Sequence, residues 1–366
     1  MTETRRSPGG GRGAAASARP PKRRRRPRGP SRALALAAVL LLLPACGQPL
    51  PDDELATELG AAYGALAADA DARASGAVAG LEGWLFSVPE LRHLAGGPLD
   101  AFDPLAVMLG FQRELAARGI ELLVVPVPPK AVIYADKVGV EDPLVPVPVP
   151  RLDPNHRAFY ALLRSRGIDV LDLTERFLDD RFHGEGPLYC RQDAHWSGVG
   201  CVVAAQVIAE VVRGRPWFAA LETQPFRFGW QSTTIDGDLA HDLESAPARE
   251  ELRLRTIAAG GEGRPTAVPP AADSPITLLG DTHALVFHAG DEMHAVGSGL
   301  ADQLVYELGL PVDVVASDSP GAALAELRRR AEAEPAAWDG KRLVIWCFAA
   351  RAITADGAWR AGPHAG

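Results

Sequence analysis

The strongest constraint on this chain is a repeated alternation: short apolar runs of strand length follow amphipathic stretches of helix length. The clearest pair begins with a helix predicted from about Pro104 to Arg118, with Asp103 as N-cap, Pro104 in its first turn and Gly119 to end it. Ile120-Glu121-Leu122-Leu123-Val124-Val125-Pro126 follows, a run typical of a strand buried on both faces of a parallel sheet. A second Asp-Pro start, Asp153-Pro154, opens a helix that Gly167 closes, and Ile168 to Leu173 is the next strand. Ser197 caps a predicted helix over 197–213. Further strands are predicted at Ile276 to Leu279, Val312 to Ala316 and Lys341 to Phe348, separated by helices over 299–309 and 321–333. Five such strands alternating with helices predict an α/β fold with a doubly wound, mostly parallel sheet.

Two stretches break the pattern. Residues 214–275 contain Trp, Phe and Thr, one predicted strand (Glu251 to Ile257) and a Gly/Pro-rich loop from Ala259 to Ser274, and read as a small β-containing insertion beside the sheet. Residues 47–78 are rich in Ala and Asp with few large apolar groups, and read as a partly helical tether. The resulting plan is a signal peptide over 1–45, a tether over 46–79, one domain over 80–353 and a tail over 354–366.

Charge narrows the function. The 366 residues are 47% hydrophobic, enough to build a substantial core, and carry a net charge of −8. Residues 1–45 hold eleven Arg/Lys and one acid, Glu3, so the rest has 27 basic and 45 acidic residues, a charge of −18. So acidic a body excludes nucleic acid as the expected partner. It would also repel a polyanionic glycan unless the site were locally basic. The basic N-terminus reads as targeting: Lys22 to Arg26 precede an apolar run, Ala33 to Leu43, too short to span a bilayer but right for a signal peptide. The run ends Leu43-Pro44-Ala45-Cys46-Gly47, which resembles a bacterial lipobox with Cys46 as the lipidated residue; an ordinary signal peptide cut near Ala45 is the alternative. Export implies an oxidising compartment. Cys190 and Cys201 could pair there, but with Cys347 the count is odd and at least one thiol is left over.

Two segments carry chemistry. Asp193-Ala194-His195-Trp196 lies just ahead of the 197–213 helix, and an Asp and a His so close can form the acid–base half of a catalytic triad. Leu279-Gly280-Asp281-Thr282-His283 follows an apolar strand directly. A Gly at a strand's C-terminal end permits a sharp turn and sets the next side chains at the mouth of the sheet, where open α/β folds bind ligands. Taken alone, each is also compatible with an ordinary loop.

Their order is more specific. SGNH hydrolases place a G-D-S turn after the first strand and a D-x-x-H segment after the last. Here the acid–base segment comes first, with one residue fewer between Asp and His. That permuted order resembles the AlgJ/AlgX-type alginate O-acetyltransferase family. Gly83-Trp84-Leu85-Phe86, the segment Val125-Pro126-Val127-Pro128-Pro129-Lys130-Ala131-Val132-Ile133-Tyr134, Leu188 to Ser197 and Gly237-Asp238-Leu239 are similar to further motifs of that family, over roughly residues 80–350. The resemblance implies a circularly permuted SGNH, flavodoxin-like domain that acetylates a cell-surface polysaccharide. It makes His195 the general base, Asp193 its orienting acid and Thr282 the nucleophile. Backbone N–H groups of Thr282 and His283, aided by the following helix, are the expected oxyanion donors, with Gly280 and Asp281 shaping the turn. Arg351 is a candidate for binding substrate charge. Lys130 and Tyr134 occupy family positions with a substrate-side or structural role. A membrane-bound acyltransferase is the implied acetyl donor, a polysaccharide the acceptor, and no cofactor or metal is called for. The implied location is the periplasm, lipid-anchored to the outer membrane.

One departure stands out, because the family nucleophile is Ser and this chain has Thr282. The added methyl restricts χ1 and crowds the line of attack. The alternatives are a Thr-nucleophile transferase, a carbohydrate acetylesterase using the same parts, and a glycan-binding subunit that has lost the chemistry, with Trp84, Trp196, Trp217 and Trp230 available for sugar stacking. A metal site among His283, His288, Asp291, Glu292 and His294 matches no familiar spacing.

Overall fold

The structure, a computed structural model, describes residues 52–99, 104–243, 249–259 and 268–360. The expected signal peptide, the lipobox Cys46 and the expected cap Asp103 lie outside these residues.

Chain order explains how the sheet is built. Helix α1 (Asp52–Ala72) leads into a short antiparallel pair, β1 (Ala77–Ala79) and β2 (Leu85–Ser87), and then α2 (Val88–Leu94). The α/β alternation begins with α3 (Pro104–Ala116) and β3 (Glu121–Val127), followed by a single turn, α4 (Lys130–Ile133). Next come α5 (Pro154–Ser165), β4 (Asp169–Val170) and α6 (Thr174–Asp180). A small ladder, β5 (Phe182–His183) with β6 (Gly186–Pro187), precedes α7 (Gly198–Arg213). The insertion forms an antiparallel hairpin, β7 (Arg227–Ile235) with β8 (Glu250–Ala258). The rest is β9 (Ile276–Gly280), α8 (Thr282–Leu285), α9 (Leu300–Leu308), β10 (Asp313–Ala316), α10 (Pro320–Ala333) and β11 (Leu343–Ala349).

Five strands, β10-β9-β11-β3-β4, make one fully parallel sheet, as the alternation predicts. Side chains alternate between its faces. On β3, Leu123, Val125 and Val127 enter one core while Leu122 and Val124 enter the other. On β11, Leu343, Ile345 and Cys347 face the first core and Val344, Trp346 and Phe348 the second. Helices α1, α7 and α9 supply the first layer, through residues such as Leu59, Val203 and Leu304. Helices α3, α5 and α10 supply the second, through Phe111, Leu163 and Leu327. Both faces are therefore covered, which is why these strands are continuously apolar.

Four expectations need correction. The tether is an ordered 21-residue helix over most of its length: Leu55, Leu59, Tyr63, Ala67 and Ala70 form a buried stripe on α1, and Tyr63 Oη donates to the Ala131 carbonyl at 3.2 Å. The folded body therefore starts well before residue 80. At the other end, Ala358 and Trp359 are buried and the Trp359 indole N–H donates to Ala352 O at 2.7 Å, so the described part of the tail belongs to the core. The insertion holds two strands rather than one, because β7 alternates its few apolar residues with polar ones and reads weakly. The strand expected over 168–173 pairs only at Asp169 and Val170, on the edge of the sheet. Among the described residues, no helix is long and apolar enough to cross a membrane.

Candidate active site

The acid–base segment is a tight loop closed by one isolated antiparallel bridge. Tyr189 bridges Trp196, and Ser197 N donates to Leu188 O at 2.8 Å. Ser197 then caps α7, its hydroxyl accepting from Val199 N and Gly200 N. Within the loop, Asp193 Oδ1 accepts from His195 N at 2.9 Å, an Asx-type turn, and from His195 Nδ1 at 2.7 Å. That loop geometry is how a pair only two residues apart can meet. With Nδ1–H given to the carboxylate, Nε2 is left as an acceptor, and it lies 2.8 Å from Thr282 Oγ1.

Thr282 reaches that point through a forced turn. A Cβ on Gly280 would fall 2.6 Å from the Ala284 Cβ and 2.9 Å from the Cys347 carbonyl oxygen, so only glycine fits at the end of β9. Asp281 fixes the turn from below: Oδ1 accepts from His283 N at 2.9 Å and Oδ2 from Ala349 N, at the end of β11, at 2.7 Å. The Trp196 indole N–H donates to His283 O at 3.0 Å and joins the two candidate segments directly.

The electrostatics suit a base. Burial works against an imidazolium at His195, but the Asp193 hydrogen bond and charge, with Asp238 and Asp281, outweigh it and raise the pKa above the ordinary 6.5. For Asp193 burial acts upward, and hydrogen bonds from His195 and His294 overcome it, holding the carboxyl well below its usual range. His283, whose ring lies 4.7 Å from that of His195, is pushed down to about 4 mainly by burial and stays neutral.

Asp193 and His195 line a cleft of about 630 Å³, together with residues of the β7–β8 hairpin and the loop 291–294. A family model described as an SGNH hydrolase-like domain of the acetyltransferase AlgX matches residues 77–350. The chain belongs to this family. The Pseudomonas aeruginosa protein named probable alginate O-acetylase AlgJ is 32% identical over 182 residues, covering 49% of this chain and 44% of that protein. Its Pseudomonas putida counterpart is 31% identical, covering 57% and 55%. The chain thus spans about half the length of these curated relatives. Among solved structures, the O-acetyltransferase domain of Pseudomonas putida AlgJ aligns with a TM-score of 0.57 at 24% identity, over 76% of this chain and 92% of that one. This likeness supports the shared fold.

Other residues of this AlgX-family chain prove to be positioning groups. Lys130 is fully buried and its ammonium donates to three carbonyls, Leu85 at 2.6 Å, Arg191 at 3.0 Å and Asp193 at 3.1 Å. Tyr134, also fully buried, donates to Arg181 O at 2.6 Å and accepts from Leu188 N at 2.9 Å. Neither can touch a substrate, so the substrate-side role is corrected to support of the acid–base loop. Arg351 does not line the cleft; it is half-buried beyond β11, where its charge acts on Glu90, His93 and His283. The oxyanion expectation is narrowed as well. The His283 N–H is already committed to Asp281, and α8 has only four residues, too few for a useful dipole. The Thr282 N–H, first in the helix and without an intrahelical partner, remains. Cys190, Cys201 and Cys347 are all free and buried, and burial pushes each thiol up, so the Cys190–Cys201 pairing is not formed. Trp84 and Trp196 are core residues rather than sugar platforms.

The sequence did not single out His294 or Asp238 for this site. His294 Nε2 lies 2.9 Å from Asp193 Oδ2. Asp238 N donates to the same oxygen at 3.3 Å, and Asp238 Oδ1 accepts from Ala194 N at 2.7 Å. The Gly237-Asp238-Leu239 motif was the available signal. It packs directly on the Gln192 backbone, and Leu239 N donates to Gln192 O at 3.2 Å. The histidines once grouped as a metal candidate disperse instead, with His288 on Asp302, His283 beside Asp281 and His294 on Asp193. Asp193, His195 and Asp238 bring ligand-type atoms within 4.8 Å of one another. A cation there would displace the bonds that orient His195.

Proposed function

We propose that this protein transfers an acyl group, acetyl by family membership, to a hydroxyl of a cell-surface polysaccharide through an acyl-enzyme on Thr282. The observation that carries this reading is the continuous chain Asp193 Oδ1, His195 Nδ1, His195 Nε2, Thr282 Oγ1, with links of 2.7 and 2.8 Å. Thr282 Oγ1 attacks the acetyl carbonyl as His195 Nε2 takes its proton, and the donor's leaving group departs with that proton. An acceptor hydroxyl then attacks the acyl carbonyl, giving its proton to His195, and Thr282 leaves reprotonated. The Thr282 N–H is the backbone donor for the oxyanion. Water in place of the sugar would make the same site an esterase.

The basic and apolar N-terminal segments ending at Cys46 support export and a lipid anchor, on the periplasmic side of the outer membrane. A membrane-bound acyltransferase supplying the acetyl group is the partner this arrangement calls for. The domain boundaries that fit the fold are about 52–360 for the body, with 214–275 inserted.

The test is release from a chromogenic acetyl ester by the full chain, compared with Thr282→Ala, Thr282→Ser and His195→Ala. Turnover by the natural chain that Thr282→Ala and His195→Ala reduce by about a thousandfold or more supports the reading. An inert natural chain with an active Thr282→Ser variant would instead make the protein a binding subunit on an intact scaffold.

A further inference from the structure

We infer that the acceptor is a glycan without acid groups, an uncharged or amino-bearing polysaccharide rather than a polyuronate. The inference rests on the acyl-transfer reading for the purpose of the cleft, and on the charge of its walls for the class of acceptor.

An acceptor hydroxyl must reach His195, and the cleft that His195 lines is acidic. Five carboxylates border it, Asp193, Asp236, Asp238, Asp291 and Glu292, against one guanidinium, Arg249. That guanidinium is spent locally, because Arg249 Nη2 pairs with Asp236 Oδ2 at 2.9 Å. Asp193 is satisfied by its two imidazoles. Asp238, Asp291 and Glu292 remain, each exposed on the cleft rim and none in an ion pair among the described residues. Burial, and after it the adjacent Asp193 carboxylate, raise the Asp238 pKa. The other basic side chains along the lining are the imidazoles of His195, His241 and His294, and the first and last of these already face Asp193.

A cleft lined by one sign of charge focuses its field on whatever enters. A polyuronate brings one carboxylate per sugar, so several would sit within a Debye length, about 8 Å at physiological salt, of uncompensated rim carboxylates. An amino sugar would instead be attracted. The charge of −18 on the chain beyond residue 45 extends the same bias to longer range. The rim carboxylates also offer acceptors for neutral sugar hydroxyls, the usual polar half of a carbohydrate site.

The test measures binding, so that it reads acceptor class whether or not the chain turns over an ester. The full chain is titrated by calorimetry with hexamers of a neutral β-1,4-glucan, a partly deacetylated amino glycan and a polyuronate, at low and high salt. The expected result is binding of the neutral and amino hexamers, with the polyuronate weaker by about tenfold or more at low salt and improving as salt screens the rim. The double variant Asp291→Asn, Glu292→Gln should narrow that gap and weaken the amino hexamer. Melting of the variant by circular dichroism checks that it is folded; if it is not, the single substitutions are used. Polyuronate binding as tight as the neutral hexamer at low salt, or binding of none of the three, overturns the inference. Ester turnover, measured separately, decides the acyl-transfer reading.

Discussion

His294 holds the oxygen of Asp193 that His195 does not use. Its Nε2 lies 2.9 Å from Oδ2, while His195 takes Oδ1 at 2.7 Å, so the Asp193 carboxylate is clasped between two imidazoles. The loop that delivers His294 is strained, with Phe287, Asp291 and His294 all at positive φ (59°, 47° and 69°). Such outliers persist where surrounding contacts over-determine them, and they concentrate at functional sites.

Replacing His294 by Ala should therefore lower ester turnover by about tenfold through kcat, with KM for a small ester little changed. It also removes one of the donors to the Asp193 carboxylate and leaves more of its charge to His195, so the imidazole pKa rises further and the acid limb of the pH–rate profile moves upward. His294→Gln, which keeps a donor, should recover part of the loss. A purely structural role for His294 would leave the profile in place.

The pH dependence of the natural chain follows from His195. It acts as a base only when neutral, and its pKa is raised above 6.5 by Asp193 despite burial. Turnover should therefore rise with pH through a midpoint above that value. Asp193→Asn removes the charge and weakens the hydrogen bond that raise it, leaving burial opposed only by Asp238 and Asp281, so the midpoint should fall and the rate should drop by about a thousandfold or more. Rates across pH 5 to 9 for both proteins check this.

Stability should carry the opposite sign of dependence at the two partners. Asp193 is held below its usual range, so its contribution is complete above the unfolded carboxyl pKa of about 3.9 and is lost as pH falls through the folded value. His195, raised, contributes fully below the unfolded imidazole pKa of about 6.5 and loses that contribution as pH rises through the folded value. Urea unfolding of Asp193→Asn against the natural chain should show the gap between the two stability curves closing at acid pH and narrowing at alkaline pH, where only the His195 part is lost.

Lys130→Met keeps the volume but removes a donor from three carbonyls, of which that of Arg191 keeps the Leu85 N–H. A loss of about 3 kcal/mol in urea unfolding is expected, since unsatisfied buried groups cost about 1–3 kcal/mol each and the loop can relax. Ester turnover should fall with it, because the Asp193 carbonyl is one of the three.

Gly280→Ala tests the nucleophile turn. The new Cβ collides with Ala284 and the Cys347 carbonyl, so a destabilisation of about 1–3 kcal/mol and loss of turnover are expected. Thermal melting and the ester assay measure the two effects separately.

Much of this was legible in the sequence. All five sheet strands were, the central β9, β11 and β3 because strands covered on both faces are apolar nearly throughout, with the edge strand β4 read too long. Asp193, His195 and Thr282 were visible because their two segments, each ordinary by itself, stand at a helix start and a strand end in the order that resembles the AlgJ/AlgX-type family. Helix α1 was hidden because its buried stripe relies partly on Ala67 and Ala70, which read as bland composition. His294 was hidden because only tertiary folding brings it to a residue 101 positions away. The roles of Lys130 and Tyr134 were ambiguous because a motif records residue type, and burial separates a substrate contact from a strut.

The Trp196 bond to His283 has a consequence for how the protein is made. Bond and dyad each close a gap of 87 residues, across the whole hairpin insertion and a sheet strand. Loop closure over such distances is slow and follows local structure. Helices and the β7–β8 ribbon can form while His195 and Thr282 are still apart, so on the proposed mechanism a partly folded chain holds no base beside its nucleophile until these two 87-residue gaps are closed.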